Sequence, residues 1–229
     1  MRIIFVRHGH PNYRDDCLTP LGRVQAEAVA DRLMKENISE IYASTSGRAM
    51  ETAEAFSRRV ALPIWGFDFM REVHWGSSDG TELPFGGHPW QTVADMVRQG
   101  EDLLSPNWRE EERFSHNTVL SHIDRVVSGI DGWLSDLGYV REGAYYRVVG
   151  ENTDRTVAMF SHGGASTVVL SYLFGLPFPF MASAVRPNFT AVTVLKFPDE
   201  VGALVTPTIE LLNDDRHLTA VTDEISFGQ

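Results

Sequence analysis

The chain has 229 residues, 43% of them hydrophobic and 22% charged, and a formal net charge of -11 from 31 acidic and 20 basic residues. That length suits one domain with room for an inserted segment, and the acidic balance excludes sequence-independent binding to nucleic-acid phosphates or an anionic membrane, which needs a positive surface. Cys17 is the single cysteine, which excludes an internal disulfide framework; with only a five-residue apolar run near the N-terminus and no stretch approaching the ~20 apolar residues of a membrane span, the expectation is a cytoplasmic protein without a signal peptide.

Residues Arg2-Ile3-Ile4-Phe5-Val6 form a β-branched and aromatic run that stops at Arg7-His8-Gly9-His10, the pattern of a buried parallel strand whose C-terminal end opens into a loop. Ligands of open α/β sheets gather at that end. An arginine there supplies a bidentate-capable cation, and a histidine supplies a base or nucleophile that titrates near neutrality. Thr19-Pro20 reads as a helix start, with Leu21, Val24, Ala28, Val29 and Leu33 as the predicted inner face. A short strand, Glu40 to Ala43, leads to Ser44-Thr45-Ser46-Gly47-Arg48, where Arg48 opens a second helix facing inward through Ala49, Thr52, Ala53, Phe56 and Val60. Leu62 to Phe67 is a third strand, and the aperiodic stretch from Met70 to Gly80, which carries Glu72, is a loop across the strand ends.

From about 82 to 150 the composition shifts, with Pro84, Gly86-Gly87, Pro89 and Pro106 as punctuation and Glu110 to Glu112 as a solvated acidic run. Helices are predicted over roughly 89–104 and 116–137, the second with Val119, Leu120, Ile123, Val126, Val127, Ile130, Trp133, Leu134 and Leu137 on one apolar face. Tyr139 to Val149 is a β excursion. Thr156 to Phe160 is another buried strand, ending in Ser161-His162-Gly163-Gly164 before a helix over Ala165 to Phe174 that Gly175 closes. Ala191–Phe197 and Leu204–Asn213 follow as strands without an intervening helix, so they are predicted to be antiparallel. The expected architecture is a single three-layer α/β/α domain over residues 1–229, with a mostly parallel central sheet and a lid-like helical insertion at about 82–150 over the active site.

Strand ends far apart in sequence meet at one rim of a parallel sheet. The rim here would gather Arg7 and Arg48, His8 and His162, the Glu72 carboxyl and a glycine-flanked helix start. Guanidinium forks and helix-start N–H groups suit a tetrahedral phosphoryl group, and an imidazole can attack phosphorus. Arg7-His8-Gly9, Ser44 to Thr52 with Arg48, Arg71-Glu72 followed by Gly76 and Gly80, and Ser161-His162-Gly163 together resemble the histidine phosphatase superfamily, the group that includes cofactor-dependent phosphoglycerate mutases. The resemblance covers the first ~80 residues and the part after ~155, and it implies a phosphoglycerate mutase-like fold. It also implies His8 as the residue that becomes a phosphohistidine, Arg7, Arg48 and His162 as the phosphate pocket, and Glu72 as proton donor to the leaving oxygen. Gly9 and Gly163 would let backbone N–H groups approach the phosphate.

The chain departs from the family pattern at His10, where many relatives carry an acidic or amide residue, and at Arg14, where the mutases usually carry Asn. The loop from Val73 to Gly80 also lacks the usual Glu or Leu pattern. These departures favour a metal-independent phosphomonoester hydrolase, acting on a small phosphorylated metabolite without a cofactor, over a phosphoglycerate mutase-type phosphotransferase. Two further readings remain open on the sequence. One is a zinc site at His8, His10, His74 and His162, disfavoured because two arginines repel a dication; the other is a phosphate or phosphoprotein binder without catalysis. Asp79 and Glu82 are substitutes for Glu72 as the acid, and Trp90, Trp108, Arg98, Arg109 and Arg113 are candidates for substrate contact. Asn188, in Pro-Asn-Phe-Thr, matches a glycosylation acceptor but suits a turn. The sequence leaves the substrate and the presence of a homo-oligomer open.

Overall fold

The structure, a computed structural model, describes residues 1–151 and 154–219. In chain order the strands are β1 (Arg2–Arg7), β2 (Pro11–Asn12), β3 (Cys17–Leu18), β4 (Ile38–Ser44), β5 (Ile64–Phe67), β6 (Tyr139–Glu142), β7 (Tyr145–Val148), β8 (Thr156–Ser161), β9 (Val192–Lys196), β10 (Leu204–Val205) and β11 (Thr208–Asp214). The helices are α1 (Pro20–Leu33), α2 (Gly47–Val60), α3 (Pro89–Gln99), α4 (Glu112–Ser115), α5 (Val119–Asp136), α6 (Gly163–Phe174) and α7 (Phe178–Ala184).

Among the described residues the main sheet runs β11-β9-β1-β8-β4-β5. Strands β1, β8, β4 and β5 are parallel, while β9 lies antiparallel to β1 and to β11, as predicted for the last two strands. Alternate residues of each central strand serve opposite cores. Ile4, Val6, Ala158 and Phe160 pack with Val29, Leu33 and Phe56 of α1 and α2, whereas Ile3, Phe5, Val157 and Met159 pack with Val126, Ile130 and Trp133 of α5 and with Val169 of α6. A sheet covered on both faces must be apolar at every position, which is why β1 and β8 read as continuous apolar runs. The arrangement is a three-layer α/β/α fold around a mostly parallel sheet.

The 82–150 block divides in two. α5 is a full member of one helical layer, its Val126, Ile130 and Trp133 sharing a core with Ile3 and Phe5 of β1, so it is structural rather than lid-like. Only α3 from this block borders the site. It is shorter than predicted, because Gly100 at φ +70 closes it in the left-handed conformation that glycine adopts freely. The β excursion is the hairpin β6–β7, joined by β10.

The inner face of α1 differs from the prediction. Gly22, Gln25, Ala26, Val29, Ala30 and Leu33 are buried, while Val24 is 45% exposed. Hydrophobicity misled there because α1 approaches its neighbours through small residues. Gly9 and Gly22 interlock: a Cβ on Gly9 would lie 2.5 Å from the Gly22 carbonyl oxygen, and one on Gly22 would lie 2.2 Å from the His10 carbonyl oxygen. Thr19 caps the helix, its hydroxyl accepting from the Gly22 N–H at 3.1 Å. That hydroxyl also lies 3.0 Å from His10 Nδ1, so His10 braces the start of α1. Gly22→Ala is expected to cost about 3 kcal/mol, since the clash is with backbone that cannot rotate away; urea unfolding measures it, and a loss below about 0.5 kcal/mol would contradict the interlock.

Candidate active site

Three strand ends, the start of α2 and one loop supply the site. β1 runs into His8, β4 ends at Ser44, β8 ends at Ser161 before His162, and Arg48 is the second residue of α2. Arg48 is the hub. Its Nε donates to His8 Nε2 at 3.2 Å, its Nη2 donates to His162 Nδ1 at 3.0 Å, and its Nη1 donates to Asp16 Oδ1. A guanidinium can only donate, so both accepting ring nitrogens must carry lone pairs. His8 therefore holds its proton on Nδ1, which donates to the Gly9 carbonyl at 2.7 Å, and His162 holds its proton on Nε2, which donates to Ser44 Oγ at 2.8 Å.

Both imidazoles are almost fully buried, and burial beside Arg7 and Arg48 disfavours a second proton. Burial, first, and then the two guanidiniums push His8 down to about 3, against the opposing pull of its Gly9 bond and Asp16. His162 is lowered well below its ordinary value by the same desolvation and by His8, Arg48 and Arg7. His8 thus presents a neutral ring whose Nε2 lone pair accepts from Arg48 Nε–H.

Asp16 anchors this assembly from the loop before α1. Its Oδ2 accepts from the Gly47 N–H at 2.8 Å while its Oδ1 takes Arg48, so one carboxylate holds both the start of α2 and its arginine. Arg7, on the other flank, donates from Nη1 to the Pro187 carbonyl at 2.7 Å and lies with Cζ 4.1 Å from the centre of the Phe189 ring. Its Nε is buried without a partner, a donor available to an anion.

Glu72 sits on the N-terminus of α6. Its carboxylate accepts from the N–H groups of Val73 at 3.0 Å, Ala165 at 3.1 Å and Gly164 at 3.3 Å. Gly164 has no Cβ because that atom would fall 2.5 Å from Glu72 Oε1. From α5, Arg125 Nη2 donates to the Arg71 and Glu72 carbonyls at 2.7 and 3.2 Å, fixing the backbone that carries the acid. Burial raises the Glu72 carboxyl above its ordinary value, and its three amide bonds and Arg7 only partly offset that. That shift favours the protonated carboxyl, the form an acid needs.

A cavity of about 730 Å³ opens over these residues, lined by Arg7, Arg48, Glu72 and Gly163, with Trp75 and Trp90 among its apolar walls. A larger one of about 880 Å³ lies against the far side of α3, where Glu82, Asp102 and Glu112 would repel a phosphate, and it contains none of the predicted phosphate-binding residues. The helix-start and glycine N–H groups expected to cradle the phosphate are engaged elsewhere: Gly164 and Ala165 hold Glu72, and the Gly9 N–H donates to Thr52 Oγ1 at 3.1 Å. Gly9 packs closely against Gly22, and Gly163 lines the cavity. His162 lies behind Arg48 at 0% exposure. Its Nδ1 accepts from the guanidinium at 3.0 Å.

Of the alternatives, Asp79 is exposed, pairs with His116 and is held well below the carboxylate range by the Thr81 N–H and hydroxyl and by His116, so it has no proton to give. Trp90 lines the site, but Arg98, Arg109 and Arg113 are engaged with Asp95, Asp124 and Glu101, and Trp108 is buried in the core. His74 lines the cavity and packs edge-on against His122. Among the described residues no group of three or more His, Cys, Asp or Glu is placed to hold a metal ion. No helix of the described residues is long and apolar enough to cross a membrane. Asp16 and Arg125 escaped sequence reasoning, and Ser44 and Gly164 stood in quoted motifs without a role, since each acts through a tertiary contact.

Comparison with known proteins places these features in context. A family model described as "Histidine phosphatase superfamily (branch 1)" matches residues 3–210. The chain is 32% identical over 184 residues to a putative phosphoserine phosphatase 2 of Hydrogenobacter thermophilus, covering 76% of this chain and 79% of that protein. It is 28% identical over 186 residues to a glucosyl-3-phosphoglycerate phosphatase of Mycolicibacterium vanbaalenii, covering 77% and 75%. Among solved structures it resembles Bacillus stearothermophilus YhfR, with TM-score 0.64 and 20% identity over 95% of this chain and 98% of that one. An Entamoeba histolytica phosphoserine phosphatase in complex with 3-phosphoglyceric acid gives TM-score 0.61 at 22% identity over 95% and 98%. These likenesses show the fold.

The pKa directions fix a sign for stability. A histidine held neutral in the folded protein takes a proton only on unfolding, so its contribution is present above the unfolded value near 6.5 and is lost as pH falls toward 3. Glu72, raised, works in the opposite sense, stabilising below its unfolded value and losing that contribution as pH rises through its folded value. The stability difference between the protein and His8→Asn isolates the ring: it should shrink by about 1.4 kcal/mol for each pH unit below ~6. Denaturant titrations at stepped pH measure it, and a constant difference from pH 6.5 to 4.5 would show that His8 is not held neutral.

Proposed function

This chain belongs to the histidine phosphatase superfamily, branch 1, and on that premise we propose that it hydrolyses small phosphomonoesters, without a metal, through a phosphohistidine on His8. The observation that carries the reading is the neutral His8 ring with its Nε2 lone pair facing Arg48 Nε–H, flanked by Arg7 and by the Glu72 carboxyl, which burial raises above its ordinary value. Phosphate oxygens are stronger acceptors for a guanidinium than a neutral ring nitrogen. A bound phosphoryl group therefore draws Arg48 Nε–H off His8 and frees the lone pair in the same movement.

In the first step the Nε2 lone pair forms the N–P bond, the P–O ester bond breaks, and its electron pair stays on the leaving oxygen, which takes the Glu72 proton. In the second, water attacks phosphorus and gives a proton to the Glu72 carboxylate. The N–P bond breaks, its electrons return to Nε2, and phosphate departs. Arg7 and Arg48 balance the charge that spreads over the equatorial oxygens in both steps. The whole chain serves as one catalytic domain, with α3 of the 82–150 block walling the site and α5 positioning Glu72. The lone Cys17 suits a reducing cytoplasm.

His8→Ala is expected to lower phosphate release by ~10³-fold or more while leaving the circular dichroism spectrum unchanged. Near-normal turnover would sink the mechanism, and loss of the parent activity on chelation would restore the metal reading. Glu72→Gln should slow alkyl phosphates by ~10²–10⁴-fold and aryl phosphates far less, because a phenolate leaves without a proton. For alkyl esters the rate should fall as pH rises through the raised Glu72 value, and a slope of equal size for both ester types would count against the acid role.

A further inference from the structure

We infer that Arg186 forms a second anion subsite beside the phosphate, selecting phosphomonoesters whose organic part carries a further anionic group. The inference rests on the phosphatase reading and deepens it. Arg186 lines the same cavity as Arg7, Arg48 and Glu72. It is exposed, and no carboxylate or other side-chain partner engages it among the described residues, in a chain that carries 31 acidic residues against 20 basic ones. Its counterparts Arg98, Arg109 and Arg113 are each matched to a carboxylate. A guanidinium left unmatched at a cavity wall in so acidic a protein is an open fork for a ligand.

The backbone beneath it is fastened from both sides. On one side Arg7 Nη1 holds the carbonyl of Pro187, the next residue, so the phosphate clamp and Arg186 are tied through a single proline. On the other, Asn213 donates from Nδ2 to the Arg186 carbonyl at 3.1 Å and accepts from the Asn188 N–H at 2.8 Å. Asn213 reaches this position because β11 shifts register between Leu211 and Asp214 and Asn213 itself sits at φ +52, which asparagine tolerates. Asn188, read from the sequence as a turn residue, is the third part of this brace. Trp75, Trp90 and Ala94 give the same cavity an apolar stretch of lining. A short carbon skeleton packed on that lining, with phosphate at Arg7 and Arg48, turns a second anion toward Arg186.

The test uses two pairs of esters: 3-phosphoglycerate against glycerol 3-phosphate, which exchanges a carboxylate for a hydroxymethyl group, and fructose 1,6-bisphosphate against fructose 6-phosphate. Phosphate release is measured for the parent protein and Arg186→Gln, and binding is measured by calorimetry on His8→Ala with and without Arg186→Gln. The subsite predicts that the parent prefers the more anionic member of at least one pair by about tenfold, in KM more than in kcat, and that Arg186→Gln collapses that ratio. Arg186→Lys should recover part of it. The pair that shows the preference identifies the second group as carboxylate or phosphate. Equal handling of both members in both pairs, or a ratio untouched by Arg186→Gln, overturns the subsite. Preferential binding with no phosphate release from any ester would leave the subsite standing and overturn the hydrolase reading.

Discussion

Everything at this site depends on a single guanidinium shared between two imidazoles. Arg48 can donate to His8 Nε2 and His162 Nδ1 together only if both rings are neutral and each keeps its proton on the far nitrogen. Gly9 and Ser44 accept those two protons, and Asp16 takes the remaining arm of the guanidinium. A proton on either ring would turn a hydrogen bond into a repulsion between buried cations. The desolvation that lowers both histidines and the geometry that aims Arg48 are thus one constraint, and it leaves His8 as a neutral ring, the form that the proposed nucleophile requires without a base to activate it.

The positive end of α6 is used in a way that sets this pocket apart from a simple anion cradle. Helix-start N–H groups often bind phosphate directly, but here Gly164 and Ala165 bind the Glu72 carboxyl. On the proposed reading the phosphate's charge falls to the arginines, while the helix start holds the Glu72 carboxyl at a fixed place. Burial favours the protonated carboxyl and the amides favour the ionised one; the balance lies upward, the condition for a group that gives a proton in one step and takes one in the next.

How much of this was legible in the sequence depended on how far each signal reached. β1 and β8 were legible because strands covered on both faces are apolar throughout, and α5 because its inner stripe is long and periodic. α1 was misread because Gly22, Gln25 and Ala26 face inward where the backbone comes close, a contact hydrophobicity does not register. Strand ends and family resemblance single out His8, Arg7, Arg48, Glu72 and His162, and the structure gathers them around one cavity or directly behind it. Asp16 and Arg125 were invisible because a charged loop residue and a charged helix residue look alike whether they face water or hold a catalytic group. The same limit applies to Gly9, whose motif position hinted at phosphate while its N–H belongs to Thr52.

The central claim is that phosphate passes through His8. Rapid quenching of the protein into alkali during turnover of a ³²P-labelled phosphomonoester, followed by peptide mapping, tests it most directly. The account predicts an acid-labile, alkali-stable label on the peptide containing His8, formed at least as fast as phosphate is released and absent from His8→Ala. Turnover without such a label, or a label mapping to any other residue, would contradict it.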